Sequence, residues 1–262
     1  YYSIPKHISF PSANSRTAHG YYYAPQNKEY CGPEGELPPL IVKTHGGPTA
    51  NTSNVFDLKI QYWTSRGFAV LDVDYGGSTG YGRQYRELLK GAWGIVDRED
   101  VEHGARYLVE KGLVHPKKLA ITGGSAGGYT TLNALTFGNV FNVGASYYGV
   151  SDLELLTKET HKFESRYLDK LIGPYPEEKE LYIERSPIHF SERINTPVIF
   201  FQGLEDAIVL PNQAEILFQS LKKKGLLTRL VTYEGEQHGF RQEKTIQDAL
   251  IKELKFYLEA FE

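Results

Sequence analysis

Methionine, cysteine and long apolar runs are absent or nearly absent from this sequence. The 262 residues include no methionine and one cysteine, Cys31, and no apolar run approaches the roughly 20 residues that span a bilayer. A single cysteine excludes an intrachain disulfide and makes a reducing compartment, the cytoplasm, our expectation. No charged and then apolar segment of the signal-peptide type opens this sequence. Because there is no initiator methionine, we expect residue 1 not to be the natural start and the chain to be a piece of a longer protein.

The sequence also lacks an excess of charge of either sign. The formal net charge is −3 and the isoelectric point is near 6.3, so nothing favours nucleic acid or an anionic membrane as a partner. The sequence has no cysteine cluster, no HExxH pair and no Walker-type phosphate loop, and we therefore expect neither a metal nor another cofactor. Its length and 40% hydrophobic content suit one large domain.

Apolar strand-like segments alternate with helical segments along the chain. After two leading strands at 6–10 and 17–23, the alternation predicts an α/β fold with a mostly parallel central sheet and helices on both faces. Residues 151–195 lack a strand signal, which predicts a small helical insertion above the carboxyl edge of the sheet. We expect residues 1–262 to form one domain. The other predicted strands are 40–44, 68–73, 118–122, 143–148, 197–201 and 229–233.

The stretch from Leu119 to Tyr129 carries the strongest chemical signal. An apolar run ends in GGSAGG at residues 123–128 and helical spacing follows, so Ser125 lies at a sharp turn between a strand and a helix. Small flanking residues let the turn close without a clash, and the first N–H groups of the helix point toward the serine. This nucleophile elbow is typical of α/β-hydrolases, so we predict that fold with Ser125 as the nucleophile.

A second GxSxG match surrounds Ser78, which is the alternative nucleophile. Both serines follow an apolar run, but the residues after them differ. The chain can enter a helix directly after Ser125, whereas Gly80, Tyr81 and Gly82 after Ser78 favour a loop. We therefore predict that Ser125 is the nucleophile.

A serine nucleophile needs a base, and eight histidines compete for that role. In α/β-hydrolases the chain order is serine, acid, histidine, which favours His238 in the loop after the last predicted strand. His45 also follows a strand but lies upstream of the elbow. For the acid, Asp206 is preferred to the adjacent Glu205 because its side chain is shorter and it follows the turn at Gly203. The other histidines follow no parallel strand: His7, His19, His103, His115, His161 and His189.

The tetrahedral intermediate of such an enzyme needs at least two hydrogen-bond donors. The residue after the nucleophile offers the N–H of Ala126, and the HGGP loop at residues 45–48 offers that of Gly47. Two adjacent glycines let the backbone approach a substrate closely. The alternative is that this loop is only a tight turn.

Five motifs follow one another along the chain: HGGP (45–48), DYGGSTGYGR (74–83), GGSAGGY (123–129), QGLED (202–206) and QHGF (237–240). In this order they resemble the catalytic domain of the prolyl oligopeptidase family, above all its acylaminoacyl-peptidase and dipeptidyl-aminopeptidase-like members. The resemblance spans nearly the whole chain. It implies a serine peptidase with the nucleophile, acid, base and oxyanion donors named above.

The resemblance also implies residues that contact a substrate. Val150, Leu153, Phe163 and Val209 are expected to form the wall of an apolar pocket for the residue before the scissile bond. The Arg166-Tyr167 pair lies in a segment where relatives build further substrate contacts.

The chain departs from the family pattern in two respects. Many relatives carry arginine where this chain has Gly76, so any brace that the arginine provides is absent or replaced. Full-length members have an N-terminal β-propeller that screens substrates by size, and nothing in residues 1–262 resembles one. We expect a propeller to precede this domain in the parent chain, and selectivity to be lost without it.

Three functional hypotheses follow. The first is a serine peptidase that hydrolyses short peptides or acyl-peptides through an acyl-enzyme. The second is a carboxylesterase with the same triad, which a comparison of ester and amide substrates distinguishes. The third is a non-catalytic binding module, against which the intact Ser125, Asp206 and His238 argue. The sequence leaves the oligomeric state open, with a homo-oligomer among the alternatives.

Overall fold

The computed structural model describes residues 2–159 and 166–262. Its centre is an eight-stranded sheet. The strands are β1 (Lys6–Pro11), β2 (Thr17–Tyr23), β3 (Leu40–Thr44), β4 (Ala69–Asp74), β5 (Leu119–Gly124), β6 (Val143–Tyr147), β7 (Val198–Gly203) and β8 (Thr228–Tyr233). The α-helices are α1 (Leu58–Thr64), α2 (Gly82–Glu87), α3 (Val96–Glu110), α4 (Ala126–Phe137), α5 (Leu153–Glu159), α6 (Tyr167–Leu171), α7 (Lys179–Glu184), α8 (Pro211–Lys223) and α9 (Glu243–Ala260).

The strand order is β1-β2-β4-β3-β5-β6-β7-β8. Strand β2 is antiparallel to β1 and β4, and the other neighbouring pairs are parallel. The predicted fold class is therefore confirmed. In its described residues, the insertion at 151–195 is helical as expected, with α5, α6, α7 and a 3₁₀ segment at Pro187–Arg193. No sequence pattern predicted the short helix α2.

Helices cover both faces of the sheet because successive strand residues point to opposite sides. Val42 and Leu71 pack in the core formed with α3, α4 and α8, whereas Ile41 and Val70 pack in a second core under α1 and α9. The parallel strands end at one edge, where the loops with the predicted site residues lie together. No helix in the described ranges has the length and apolar character needed to cross a membrane.

Gly76, at which the chain departs from the expected family pattern, has no room for a side chain. An added Cβ would lie 2.6 Å from Cγ1 of Val96. The Gly76 N–H donates to the buried carboxylate of Asp100 at 2.7 Å. Arg16, from the connection between β1 and β2, lies 3.3 Å from the same carboxylate and 2.6 Å from that of Glu99. A cation from the N-terminal hairpin therefore pairs with this carboxylate.

Replacing Arg16 with alanine is expected to lower the free energy of unfolding by about 3 kcal/mol, because Asp100 would stay buried without its cation. Chemical denaturation measures the change. Arg83→Ala is the control, since Arg83 pairs with Glu87 in solvent and its loss should leave the free energy of unfolding nearly unchanged. An equal loss of unfolding free energy in the two variants would contradict a stabilising role for the ion pair between Arg16 and Asp100.

Candidate active site

Ser125 lies at the turn between β5, which ends at Gly124, and α4, which begins at Ala126. Its backbone adopts φ 57° and ψ −121°, a strained combination that residues with a side chain rarely adopt. The turn packs closely on β3, since a Cβ on Gly127 would lie 2.4 Å from the carbonyl oxygen of Thr44. The strand, turn and helix predicted from the sequence therefore present this serine at their apex.

The structure brings Ser125, Asp206 and His238 together from loops that follow three different strands. Nε2 of His238 lies 2.8 Å from Oγ of Ser125, and Nδ1 lies 2.9 Å from Oδ2 of Asp206. The aspartate is buried, and its Oδ1 accepts the N–H groups of Ile208 and Val209 at 2.9 and 3.0 Å. An ionised carboxylate fixed in this way favours the tautomer with the proton on Nδ1, which leaves Nε2 free to accept from the serine.

The alternative serine and acid lie in different surroundings. Glu205 is exposed, whereas its neighbour Asp206 is buried. Ser78 is fully buried, and its hydroxyl donates to the carbonyl oxygen of Tyr75 at 2.7 Å. Oγ of Ser78 also lies 2.7 Å from Nε2 of His45. This second serine–histidine pair is closed to substrate and fixes the loop that contains it.

Tyr75 fixes the HGGP loop at residues 45–48. Its hydroxyl lies 3.0 Å from the carbonyl oxygen of His45 and 3.1 Å from that of Pro48, and its ring stacks on the imidazole with centroids 4.2 Å apart. Burial lowers the pKa of His45 below its ordinary value, so the ring is neutral at pH 7. Gly47 has φ 119°, which favours glycine. The loop is therefore held in one shape before a substrate binds.

Gly47 and Ala126, the predicted oxyanion donors, line the same cavity as Ser125 and His238. Ala126 is the first residue of α4, so its N–H has no acceptor within the helix. The positive end of the helix dipole lies at the same place. Two backbone segments thus flank the position where a substrate carbonyl would lie.

This mostly apolar cavity, which we call the acyl cavity, has a volume of about 290 Å³. Val150 and Val209, two of the four predicted wall residues, line it. Leu153 does not, because the start of α5 turns it into the hydrophobic core, and Leu156, about one helical turn later, lines the cavity instead. Phe163 lies outside the described residues.

The sequence missed several residues of the acyl cavity. Tyr167 lines it, as expected for the Arg166-Tyr167 pair, but Arg166 is exposed and pairs with Asp169 at 3.3 Å. The unpredicted lining residues are Pro48, Trp93, Leu156, Leu168 and Ile208.

Within residues 2–159 and 166–262, no group of three or more His, Cys, Asp or Glu side chains is placed to hold a metal ion.

Comparison with known proteins identifies the family. A sequence profile described as "Prolyl oligopeptidase family" matches residues 54–262. The chain belongs to this family. The resemblance predicted from the five motifs is therefore confirmed. Solved structures of a puromycin hydrolase and of an acylaminoacyl peptidase superpose on 100% and 98% of this chain, which confirms the predicted α/β-hydrolase fold.

The chain spans 28% to 40% of the lengths of the relatives named here. It is 32% identical over 210 residues to dipeptidyl peptidase family member 6 of Caenorhabditis elegans, covering 78% of this chain and 28% of that protein. A solved puromycin hydrolase is 43% identical with a TM-score of 0.97, over 100% of this chain and 40% of its own. A Mycobacterium tuberculosis puromycin-hydrolyzing peptidase is 47% identical with a TM-score of 0.97, over 99% of this chain and 39% of its own.

Proposed function

We propose that this chain is the catalytic domain of a serine peptidase that hydrolyses short peptides through an acyl-enzyme. The observation that carries the proposal is the unbroken line from Oγ of Ser125 through the imidazole of His238 to the carboxylate of Asp206, with separations of 2.8 and 2.9 Å. Membership of the prolyl oligopeptidase family supports peptide bonds as the substrate. The names of similar proteins include dipeptidyl peptidases and acylamino-acid-releasing enzymes.

In the first half-reaction, Oγ of Ser125 attacks the substrate carbonyl while Nε2 of His238 takes its proton. Asp206 holds the Nδ1–H and stabilises the imidazolium that forms. As negative charge develops on the carbonyl oxygen, this oxygen accepts hydrogen bonds from the N–H groups of Gly47 and Ala126. Because these donors are fixed in advance, they need no reorganisation during the reaction.

An amide requires a proton on its leaving nitrogen, which an activated ester does not. The imidazolium of His238 gives that proton, the amine departs, and the acyl group stays on Ser125. Water then attacks the acyl-enzyme with His238 again as the base, which releases the acid and restores the serine. A peptidase must therefore hold the leaving nitrogen within reach of Nε2.

The acyl cavity supports an apolar residue before the scissile bond. Three of its lining residues, Val150, Leu156 and Val209, are aliphatic. The indole of Trp93 also lines it. An apolar pocket distinguishes side chains that differ by one methylene by only about 1–3 kcal/mol. We therefore propose a graded preference among apolar residues.

Short aminoacyl anilides, N-blocked or free, with an apolar residue before the scissile bond are the expected substrates, and long folded polypeptides should be cleaved poorly. The measurement is kcat/KM for matched anilides and nitrophenyl esters of the same amino acid, with puromycin as a further compound. Ester turnover without cleavage of any anilide or peptide would make the protein a carboxylesterase. Turnover of neither class would favour a binding module.

We further propose that a β-propeller precedes this domain in a longer cytoplasmic parent. The chain covers only 28% to 40% of the lengths of the relatives described above, which supports an additional domain. The propeller would exclude long polypeptides from the acyl cavity. Cleavage of a long unfolded polypeptide by this domain and by its parent compares the two, and we expect the isolated domain to be faster.

A further inference from the structure

A row of polar side chains crosses the middle of the sheet on the face covered by α1 and α9. Lys43 of β3 is in register with Asp72 of β4 on one side and with Thr122 of β5 on the other. The neighbouring positions on this face, Ile41 and Val70, belong to the apolar core. Polar groups inside a sheet cost free energy unless they are hydrogen-bonded. The cost of burying this row therefore depends on the hydrogen-bond partners of its polar side chains.

Glu253, a carboxylate near this row, already accepts a hydrogen bond at each oxygen, whereas Oδ1 of Asp72 in the row itself has no hydrogen-bond partner among the described residues. Glu253, buried on α9, accepts the hydroxyl of Tyr257 on Oε1 and the hydroxyl of Tyr147 on Oε2, each at 2.6 Å. A ligand that reaches Glu253 therefore finds a carboxylate whose two oxygens already accept hydrogen bonds.

The donors of the same region are not fully occupied. Among the described residues, Nζ of Lys43 donates to Asp72 alone, at 2.7 Å, which leaves two of its N–H groups. Burial would lower the pKa of Lys43, but the charge of Asp72 and the hydrogen bond to it outweigh burial and raise that pKa, so the side chain is cationic. Lys59, which is exposed on α1, forms no ion pair with the described residues.

Lys43, Lys59 and Glu253 line a cavity of about 260 Å³ between the sheet and helices α1 and α9, which we call the rear cavity. The rest of its wall is largely apolar and includes Trp63 and Leu250. No described residue lines both the rear cavity and the acyl cavity. The rear cavity thus offers ammonium donors and an apolar wall, and it is a separate compartment.

The rear cavity reaches the catalytic histidine through two aromatic side chains. Tyr148 and Phe240 line it, and their ring centroids are 5.4 Å apart. The ring of Tyr148 also packs on the imidazole of His238 at 5.0 Å. A molecule in the cavity would touch Tyr148 and Phe240 without touching Ser125.

We propose that the rear cavity is a second ligand site, for a small monocarboxylate with an apolar body, and that its occupancy acts on His238 through Tyr148 and Phe240. The carboxylate accepts hydrogen bonds from Lys43 and Lys59, and the apolar body packs on Trp63 and its neighbours. An N-blocked apolar amino acid released by the proposed peptidase activity belongs to this class, but the binding itself does not depend on that activity.

Calorimetric titration of Ser125→Ala with 3-phenylpropionate tests the site without requiring catalysis. The neutral isostere 3-phenylpropanamide should bind at least about tenfold more weakly, because it cannot form charge-assisted hydrogen bonds with the lysines. Equal affinity for the acid and the amide, or no binding of the acid, would overturn the proposal.

Two variants locate the bound acid. Ala249→Leu places a larger side chain in the rear cavity from α9. It should weaken binding about tenfold or more, because that side chain occupies volume that the acid needs. Lys59→Gln, at an exposed position, should weaken it about threefold. Lys244→Gln, an exposed lysine at the start of α9, is the matched control and should leave the affinity unchanged. Unchanged affinity in both Ala249→Leu and Lys59→Gln would overturn the assignment.

Kinetics on the unmodified protein test the link to His238. We expect saturating 3-phenylpropionate to lower kcat for an anilide or ester with KM unchanged, and Ala249→Leu to abolish this effect. A rise in KM with constant kcat would place the acid in the acyl cavity and overturn the proposal. Binding without any change in kcat would overturn the coupling to His238. If no substrate is turned over, the proposed function fails, while the titrations still decide whether the site exists.

Discussion

Alanine in place of Ser125 is expected to reduce kcat by about 10⁴–10⁶, because no other atom can form the acyl-enzyme. A fluorophosphonate probe should react with one equivalent of the unmodified protein and not with the variant. Active-site titration and turnover of an apolar aminoacyl anilide measure the two effects. The loss should fall on kcat, since the acyl cavity, where we propose that the substrate binds, is left intact.

Ser78→Ala is the matched control for this experiment. Ser78 is fully buried and hydrogen-bonded to the Tyr75 carbonyl, so its loss should leave labelling intact and cost about 1 kcal/mol of stability. Peptide mapping of the labelled protein identifies the modified serine. Labelling at Ser78, or its loss in Ser78→Ala, would show that the elbow is wrongly placed.

Asparagine in place of Asp206 is expected to lower kcat by about 10⁴ while the fold is retained. Its carbonyl oxygen can still accept the N–H groups of Ile208 and Val209, so the turn keeps its shape. Its NH₂ group, however, would donate to Nδ1 of His238 and move the imidazole proton to Nε2. The imidazole could then no longer accept the proton of Ser125.

Glu205→Gln is the control for the acid. Glu205 is exposed, so the change should leave kcat within about twofold of the unmodified protein, in line with the small effects of surface charges. Thermal unfolding of both variants separates lost chemistry from lost structure. A loss of kcat in Glu205→Gln as large as in Asp206→Asn would assign the role to the wrong carboxylate.

Sequence was sufficient to place the residues at strand ends. Ser125, Asp206 and His238 each follow an apolar strand, and parallel strands end at one edge, so their proximity could be predicted without coordinates. The turn at Ser125 also has a local signal, because only small neighbours fit its close approach to β3.

Sequence was not sufficient for the wall of the acyl cavity. Whether Leu153 or Leu156 faces the cavity depends on the rotation of α5, which is set by packing against other elements. Trp93 comes from the connection between α2 and α3, and no local pattern marks it as a wall residue. Arg16 shows the same limit, since its partner Asp100 is 84 positions away.

The turn at residues 206–209 links the acid to the wall of the acyl cavity. The backbone N–H groups of Ile208 and Val209 fix the carboxylate of Asp206, while the side chains of the same two residues line the cavity. A substitution there that widens substrate range also risks the orientation of His238. Leu156 and Leu168 also line the cavity, but they lie on helices α5 and α6, away from the turn that fixes Asp206. Lineages or laboratory libraries that alter substrate preference while keeping turnover should therefore accumulate their changes on those helices.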